Sequence, residues 1–302
     1  MQTNRALRFY SFLCKLDSRR PVKKRPKRKS ATRPTVVFLG GGGLTQAMVA
    51  GLKYHAANVL RGKPAKFQLI VHDRHPNKLQ TLRRLGAKTE SNLQRAVDAA
   101  DILLIAVRPD SVAGLLASLN LGGRSPLAVS LAAGIPMEGL RRELGPPVRW
   151  ARAMPSPACR TGRGLTALAF GAELKPAERK TIRTLFAALG TVLEVPEESF
   201  DVFMVTYAPI HGYHALAALT AAATRLGLDP AVASTAATHA LADGIVALHA
   251  SRTSLEAALK EAATPGGISV AIAASMDASG YSAMMERALQ AGIDRAKTIS
   301  KA

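Results

Sequence analysis

A chain of 302 residues, 48% of them apolar, is long enough for two domains with separate cores and has the composition of a folded globular protein. Two cysteines, Cys14 and Cys159, exclude a disulfide framework, and with no C-x-x-C or Cys/His cluster no metal is expected; the default setting is reducing and cytoplasmic. The net charge of +20 is concentrated at one end, where residues 1–33 hold twelve Lys/Arg against the single acid Asp17, a net of +11, leaving +9 for the other 269 residues.

That basic segment, with its proline-broken run Arg19-Arg-Pro-Val-Lys-Lys-Arg-Pro-Lys-Arg-Lys29, cannot bury a core and is expected to be disordered. It suits a nucleic-acid or targeting arm. An acid-poor mitochondrial presequence is a further reading, opposed by the lysine and proline in its second half. The plainer reading, an unstructured extension or one translated from an upstream start, is preferred, so no nucleic-acid partner is expected. A secretory signal is excluded by the lack of an apolar region.

Beyond Pro34 the apolar run Thr35–Leu39 reads as a strand, followed by four glycines, Gly40 to Gly43, and a helical pattern from Leu44 to about Arg61. Strand, glycine turn and helix in that order make a dinucleotide pyrophosphate site: glycine lets the backbone approach the phosphates, and the helix N-terminus offers unpaired N–H groups and a positive dipole end. The register Gly40, Gly42, Thr45 is preferred to Gly41, Gly43, Gln46, because a long polar side chain fits the close-packing position badly. Phe67–His72 is the second strand, ending at Asp73-Arg-His-Pro-Asn-Lys78, and helices are expected over 78–85 and 93–99. Ile102–Val107, apolar throughout, is a strand buried on both faces; Arg108-Pro109 stops it before a helix over 112–119. A strand over 127–131, a helix over 136–144, strand character at 148–151, 164–170 and 191–195, and a helix over 176–189 complete an alternation that predicts a doubly wound parallel sheet with helices on both faces.

After Pro196 strand character gives way to Ala/Leu-rich helices broken at 227–230 and 264–267. The expectation is an α/β fold: a disordered tail over 1–33, a Rossmann-type dinucleotide-binding domain over 34–196, and an all-α dimerisation and substrate domain over 197–302. Residues 202–224 are uncharged and long enough to span a bilayer, but Pro209, Gly212, His211 and His214 make them a poor span and a plausible buried helix of a helical domain or dimer core, so no membrane partner is expected.

Taken together, these motifs resemble the pyrroline-5-carboxylate reductase family over roughly residues 35–300. The glycine loop Phe38–Thr45 is similar to the family's first-strand phosphate loop, Ala106-Val-Arg-Pro109 to its Ala-Val-Lys-Pro, and Ser130-Leu-Ala-Ala-Gly-Ile135 to its Ser-Ile-Ala-Ala-Gly-Ile. Arg152-Ala-Met-Pro155 followed by Gly164-Leu-Thr-Ala-Leu168, and Thr264-Pro-Gly-Gly-Ile-Ser269, match further family motifs in the same order. Two segments depart from the pattern: the family's Met-Pro-Asn-Thr-Pro is shortened to Met154-Pro-Ser-Pro157, and its Ser-Gly-Ser-Gly-Pro-Ala-Tyr keeps only the final tyrosine, Tyr213.

The resemblance implies reduction of 1-pyrroline-5-carboxylate, a cyclic imine carboxylate, to L-proline by an NAD(P)H-dependent homodimer or larger homo-oligomer. It points to Ser269 as the hydroxyl facing the ring nitrogen, with Tyr213 as a second catalytic candidate, and to Thr264, Gly266, Gly267 and Met154 around the substrate. Cofactor contacts are expected from Gly40, Gly42, Gly43, Leu44, Asp73, Arg74, Val107 and Pro109. Asp73 could accept from an adenosine ribose 2′-hydroxyl, favouring NAD, whereas Arg74 with His75 and Lys78 could bind a 2′-phosphate; the cationic surroundings favour NADP, with NAD the alternative. No lysine lies between Lys180 and Lys260, which suits an iminium, whose nitrogen needs no proton donor, better than a ketone. Alternatives are a reductase of another imine or keto substrate, and a nucleotide-binding relative without catalysis.

Overall fold

The computed structural model describes residues 33–61, 65–251 and 253–301; residues 1–32 of the basic tail lie outside them. The sheet-forming half runs β1 (Thr35–Leu39), α1 (Gly43–Asn58), β2 (Gln68–His72), α2 (Pro76–Arg84), β3 (Lys88–Glu90), α3 (Leu93–Asp98), β4 (Ile102–Ile105), α4 (Val112–Ala117), β5 (Leu127–Ser130), α5 (Met137–Glu143), β6 (Arg149–Pro155), β7 (Gly164–Phe170), α6 (Pro176–Ala187) and β8 (Gly190–Glu194). The helical half follows as α7 (Phe200–Thr206), α8 (Ile210–Arg225), α9 (Pro230–Ser251), α10 (Leu255–Ala262), α11 (Ile268–Ala278) and α12 (Tyr281–Lys301).

The apolar runs form central strands because both faces of the sheet are covered. Along β1, Val36 and Phe38 enter one core with Met48, Leu104 and Phe186, while Val37 and Leu39 enter the other with Leu103, Ile105 and Trp150. The eight strands lie in the order β3-β2-β1-β4-β5-β6-β7-β8. Chain direction along the sheet reverses between β1 and β4, which opens a crevice at their carboxyl ends.

The expected parallel sheet holds through β6, and β7 departs from it by running antiparallel to β6 before β8 returns parallel to β7. Residues 156–163 explain this: a parallel crossover needs about a dozen residues or more, and this connection makes only a short 3-10 turn. The short edge strand β3 was not expected; Lys-Thr-Glu carries no apolar signal, and pairing with β2 defines it.

The two halves are pinned together at Arg152. Its guanidinium, 2% exposed, donates to Glu197 at 3.0 Å and Asp201 at 2.8 Å and lies 4.2 Å over the Phe200 ring. Glu197 also accepts the Met137 N–H at 2.9 Å, so one ion cluster joins β6, α5 and the entry to α7. At the far end of the chain α12 packs on α7, where a Cβ on Gly292 would meet Val205 at 2.8 Å, and on the β5 loop, where one on Gly134 would meet Ala296 at 3.0 Å.

The remaining helices find little cover within one chain. The segment 202–224, expected as a helix buried in a helical domain or dimer core, is split at Pro209 into α7 and α8, and within one chain α8 buries no residue. Helices α10 and α11 bury none either, and α9 buries only Ala233 and Ala237. Leu226, Ile245, Leu255 and Ile268 are each more than 60% exposed. Among the described residues α9 is the one helix long and apolar enough to cross a membrane by length and composition.

Candidate functional site

The carboxyl ends of β1, β2 and β4 surround a cavity of about 1030 Å³. Its floor is the glycine turn, and each glycine there has a distinct reason. Gly40 has φ +119°, and a Cβ on it would lie 2.5 Å from the Ala106 carbonyl oxygen, so the β1 and β4 loops touch at a point only glycine allows. A Cβ on Gly41 would press on Leu82 and Asp73. Gly42 and Gly43 line the cavity with no heavy atom within 4 Å of their missing Cβ positions, which leaves open space above the start of α1. Thr45 is fully buried and donates its hydroxyl to the Gly40 carbonyl at 2.6 Å, holding the turn against the helix it opens.

One wall is the turn after β2. Asp73 is 7% exposed, and both of its oxygens are occupied. Oδ2 accepts the Gly41 N–H at 2.7 Å and faces the Lys78 ammonium at 3.4 Å; Oδ1 accepts the His75 N–H and the His75 ring Nδ1–H, both at 2.8 Å. Burial alone would raise this carboxyl, but the Gly41 and His75 donors and the Lys78 charge together hold it below its ordinary value. Arg74, exposed beside it, has no ion-pair partner among the described residues, so Arg74 and Lys78 outweigh Asp73 and give this rim a positive balance.

The opposite wall comes from the loop after β4 and from α4: Val107 and Arg108, then Ser111, Gly114, Leu115 and Ser118. The latter four were not singled out from the sequence. Their spacing of three, four and seven places them on one helical face, and small residues on such a face are a legible sign of a wall that something approaches closely.

Of the expected cofactor residues, Gly40, Gly42, Gly43, Asp73, Arg74 and Val107 line this one cavity. Leu44 and Pro109 do not: Leu44 packs on the core, and Pro109 opens a 3-10 turn ahead of α4. None of the expected substrate and catalytic residues lines it within the chain. Met154 lies on β6, partly buried against the second core. Tyr213 is 69% exposed on α8. Thr264 and Gly266 are exposed on the bend before α11 and Ser269 is exposed in its first turn; Gly266 has φ +75°, and Gly267 caps the helix while its own N–H returns to the Thr264 carbonyl at 2.9 Å. Near Tyr213 on α8, His211 contacts the Val205 carbonyl through Nε2 and His214 is exposed. Tyr207, in the segment that departs from the family pattern, accepts the Leu165 N–H at 3.0 Å through its hydroxyl.

Residues 197–299 match the family described as pyrroline-5-carboxylate reductase dimerisation, and residues 35–134 match the one described as NADP oxidoreductase coenzyme F420-dependent. A pyrroline-5-carboxylate reductase of Synechocystis is 27% identical over 268 residues, covering 87% of this chain and 97% of its own. The chain belongs to the pyrroline-5-carboxylate reductase family. The fold is shared with the Coxiella burnetii pyrroline-5-carboxylate reductase (TM-score 0.77, 23% identity, 90% of this chain and 100% of that one). It is shared too with the Plasmodium falciparum pyrroline carboxylate reductase, solved with NADP bound (TM-score 0.76, 18% identity, 88% and 98%). The two matched regions fall here on strands β1 to β5, among whose carboxyl ends the cavity lies, and on the helices around the Thr264–Ser269 segment.

Proposed function

We propose that this chain is an NADPH-dependent reductase that converts 1-pyrroline-5-carboxylate to L-proline as a homodimer. The observation that carries the reading is the crevice itself: a glycine turn with open space above Gly42 and Gly43, at the start of α1 and beneath a positively charged rim, in a member of this family. The cradle fits a dinucleotide, since a side chain at either glycine would fill the space the pyrophosphate needs. Gly42, Gly43 and the α1 N-terminus would hold the pyrophosphate, Arg74 and Lys78 a 2′-phosphate, and the α4 face the adenosine. The bound cofactor supplies the hydride.

The protein's remaining task is placement. A cyclic imine is partly protonated near neutral pH, so its carbon is already electrophilic and its nitrogen ends with the proton it carries. The chain must then orient the ring and screen it from water. Ser269 would hydrogen-bond the ring nitrogen, and the unbonded N–H groups at the start of α11 would take the carboxylate. These groups lie outside the cavity of their own chain, so the reading requires a second copy to bring them there. The exposed apolar faces of α8 to α11 supply a surface for that copy.

The test is loss of reduced-nicotinamide absorbance with 1-pyrroline-5-carboxylate, with L-proline identified as product, and its slowing in Ser269→Ala. Tight NADPH binding without turnover would reject this substrate. A panel of other cyclic imines would then follow, because Met154-Pro-Ser-Pro157 and the segment ending at Tyr213 depart from the family pattern.

A further inference from the structure

An acidic residue at the end of the second strand of such a fold ordinarily accepts a hydrogen bond from the adenosine ribose 2′-hydroxyl. Asp73 stands at that position, lines the cavity, and is committed elsewhere. A carboxylate has about four acceptor sites, and four donors face this one: the Gly41 N–H, the Lys78 ammonium, the His75 N–H and the His75 ring.

Those four donors belong to two different pieces of the site. Gly41 is part of the phosphate turn, while His75 and Lys78 belong to the arm that follows β2. The arm's donors are only partly used by Asp73. Lys78 is 39% exposed with further N–H groups to give, His75 is 48% exposed with its second ring nitrogen unpartnered among the described residues, and Arg74 is exposed beside them.

We infer that Asp73 is a positioning residue: its carboxylate ties the phosphate turn to the His75–Lys78 arm, is thereby withheld from a ribose 2′-hydroxyl, and makes the crevice selective for a 2′-phosphorylated dinucleotide. This rests on the reading of the crevice as a cofactor site. Selectivity then has two parts. The arm presents cations to a 2′-phosphate, and the same contacts deny an unphosphorylated ribose its usual acceptor.

Calorimetric titration of the full-length protein with NADP+ and with NAD+ separates the possibilities without any need for turnover. In His75→Ala/Lys78→Ala, whose replaced side chains are substantially exposed, the preference for NADP+ over NAD+ should fall by about tenfold or more, the worth of a charge-assisted hydrogen bond. NAD+ binding should hold or tighten as Asp73 is freed. An unchanged preference, or equal weakening of both nucleotides, overturns the assignment. Asp73→Asn has a single side-chain acceptor oxygen and must release either Gly41 or the His75 donors, so both nucleotides should bind more weakly, in a protein whose thermal melting shows it folded. Loss confined to NAD+ would make Asp73 a ribose reader and refute the inference. Wild-type protein that binds neither nucleotide would reject the cofactor reading itself, and this inference with it.

Discussion

Gly40 and Gly42 stand two residues apart in one turn, and replacing each with alanine should produce opposite defects. At Gly40 the added Cβ would lie 2.5 Å from the Ala106 oxygen and 2.7 Å from its carbonyl carbon, on a backbone at φ +119°. Reaching ordinary contact distance requires a shift of about 1 Å between the β1 and β4 loops. Strained backbone and overpacking together should cost about 2–5 kcal/mol, a fall in melting temperature of roughly 5–15 °C. At Gly42 the backbone (φ −69°, ψ −177°) suits any residue, and nothing lies within 4 Å of the new methyl group. Gly42→Ala should therefore melt at or slightly above the wild-type temperature, since the unfolded chain loses freedom worth about 0.4–1 kcal/mol. The same methyl intrudes where the pyrophosphate would approach, and losing one charge-assisted contact should weaken NADPH about tenfold or more. Differential scanning fluorimetry and NADPH fluorescence titration on the same samples read both quantities. A Gly42→Ala protein that binds NADPH like the wild type would refute the assignment of the open space to the cofactor.

Two further outcomes concern the ion clusters. Arg152→Met removes the shared cation of Glu197 and Asp201, and because each acid is about one-third exposed and can rehydrate, the loss should be about 2–3 kcal/mol, below that of a fully buried pair; urea titration measures it, and an unchanged midpoint would dismiss the pin. Burial opposes ionisation of Asp73 and Glu173, yet N–H donors and the neighbouring Lys78 and Arg141 hold both carboxyls below their ordinary values of 3.8 and 4.5. Their stabilisation is therefore complete above those values and is lost as pH falls below them, so Asp73→Asn and Glu173→Gln should each flatten the acid limb of a melting-temperature profile.

The central strands and the phosphate turn were legible because their surroundings restrict which residue types fit. Ile102–Ile105 is buried on both faces and reads as an unbroken apolar run, and Gly40 is glycine because the neighbouring loop passes within contact distance of it. Where tertiary context decides, the residues were silent or ambiguous. Lys88–Glu90 is a strand only because β2 lies beside it, and the reversal of β7 depends on a connection too short for a crossover. Asp73 was readable as an NAD determinant or as part of a cationic NADP cluster, since residue type alone does not reveal that four donors surround it. The Thr264–Ser269 motif was recognisable as sequence, yet its exposed position gives it nothing to act on within its own chain.

That last point yields the sharpest test of the assembly. Helix α12 is fixed to α7 and the β5 loop by the close approaches at Gly292 and Gly134, whereas α10 and α11, which flank the bend, bury no residue. If the active site is composite, the crevice of one chain works with Ser269 of the other. Gly42→Ala should disable the first component and Ser269→Ala the second. Each variant alone makes only defective sites, but a mixed dimer contains one site with both components intact and one with both altered. Random assortment makes half the dimers mixed, so co-expressed variants should recover about one quarter of wild-type activity for a two-fold dimer. Were both components drawn from the same chain, every site in the mixture would carry one lesion and no activity would return. Recovery near a quarter thus requires an interchain site, and its absence, in mixtures shown by tagged purification to contain the mixed dimer, would rule one out.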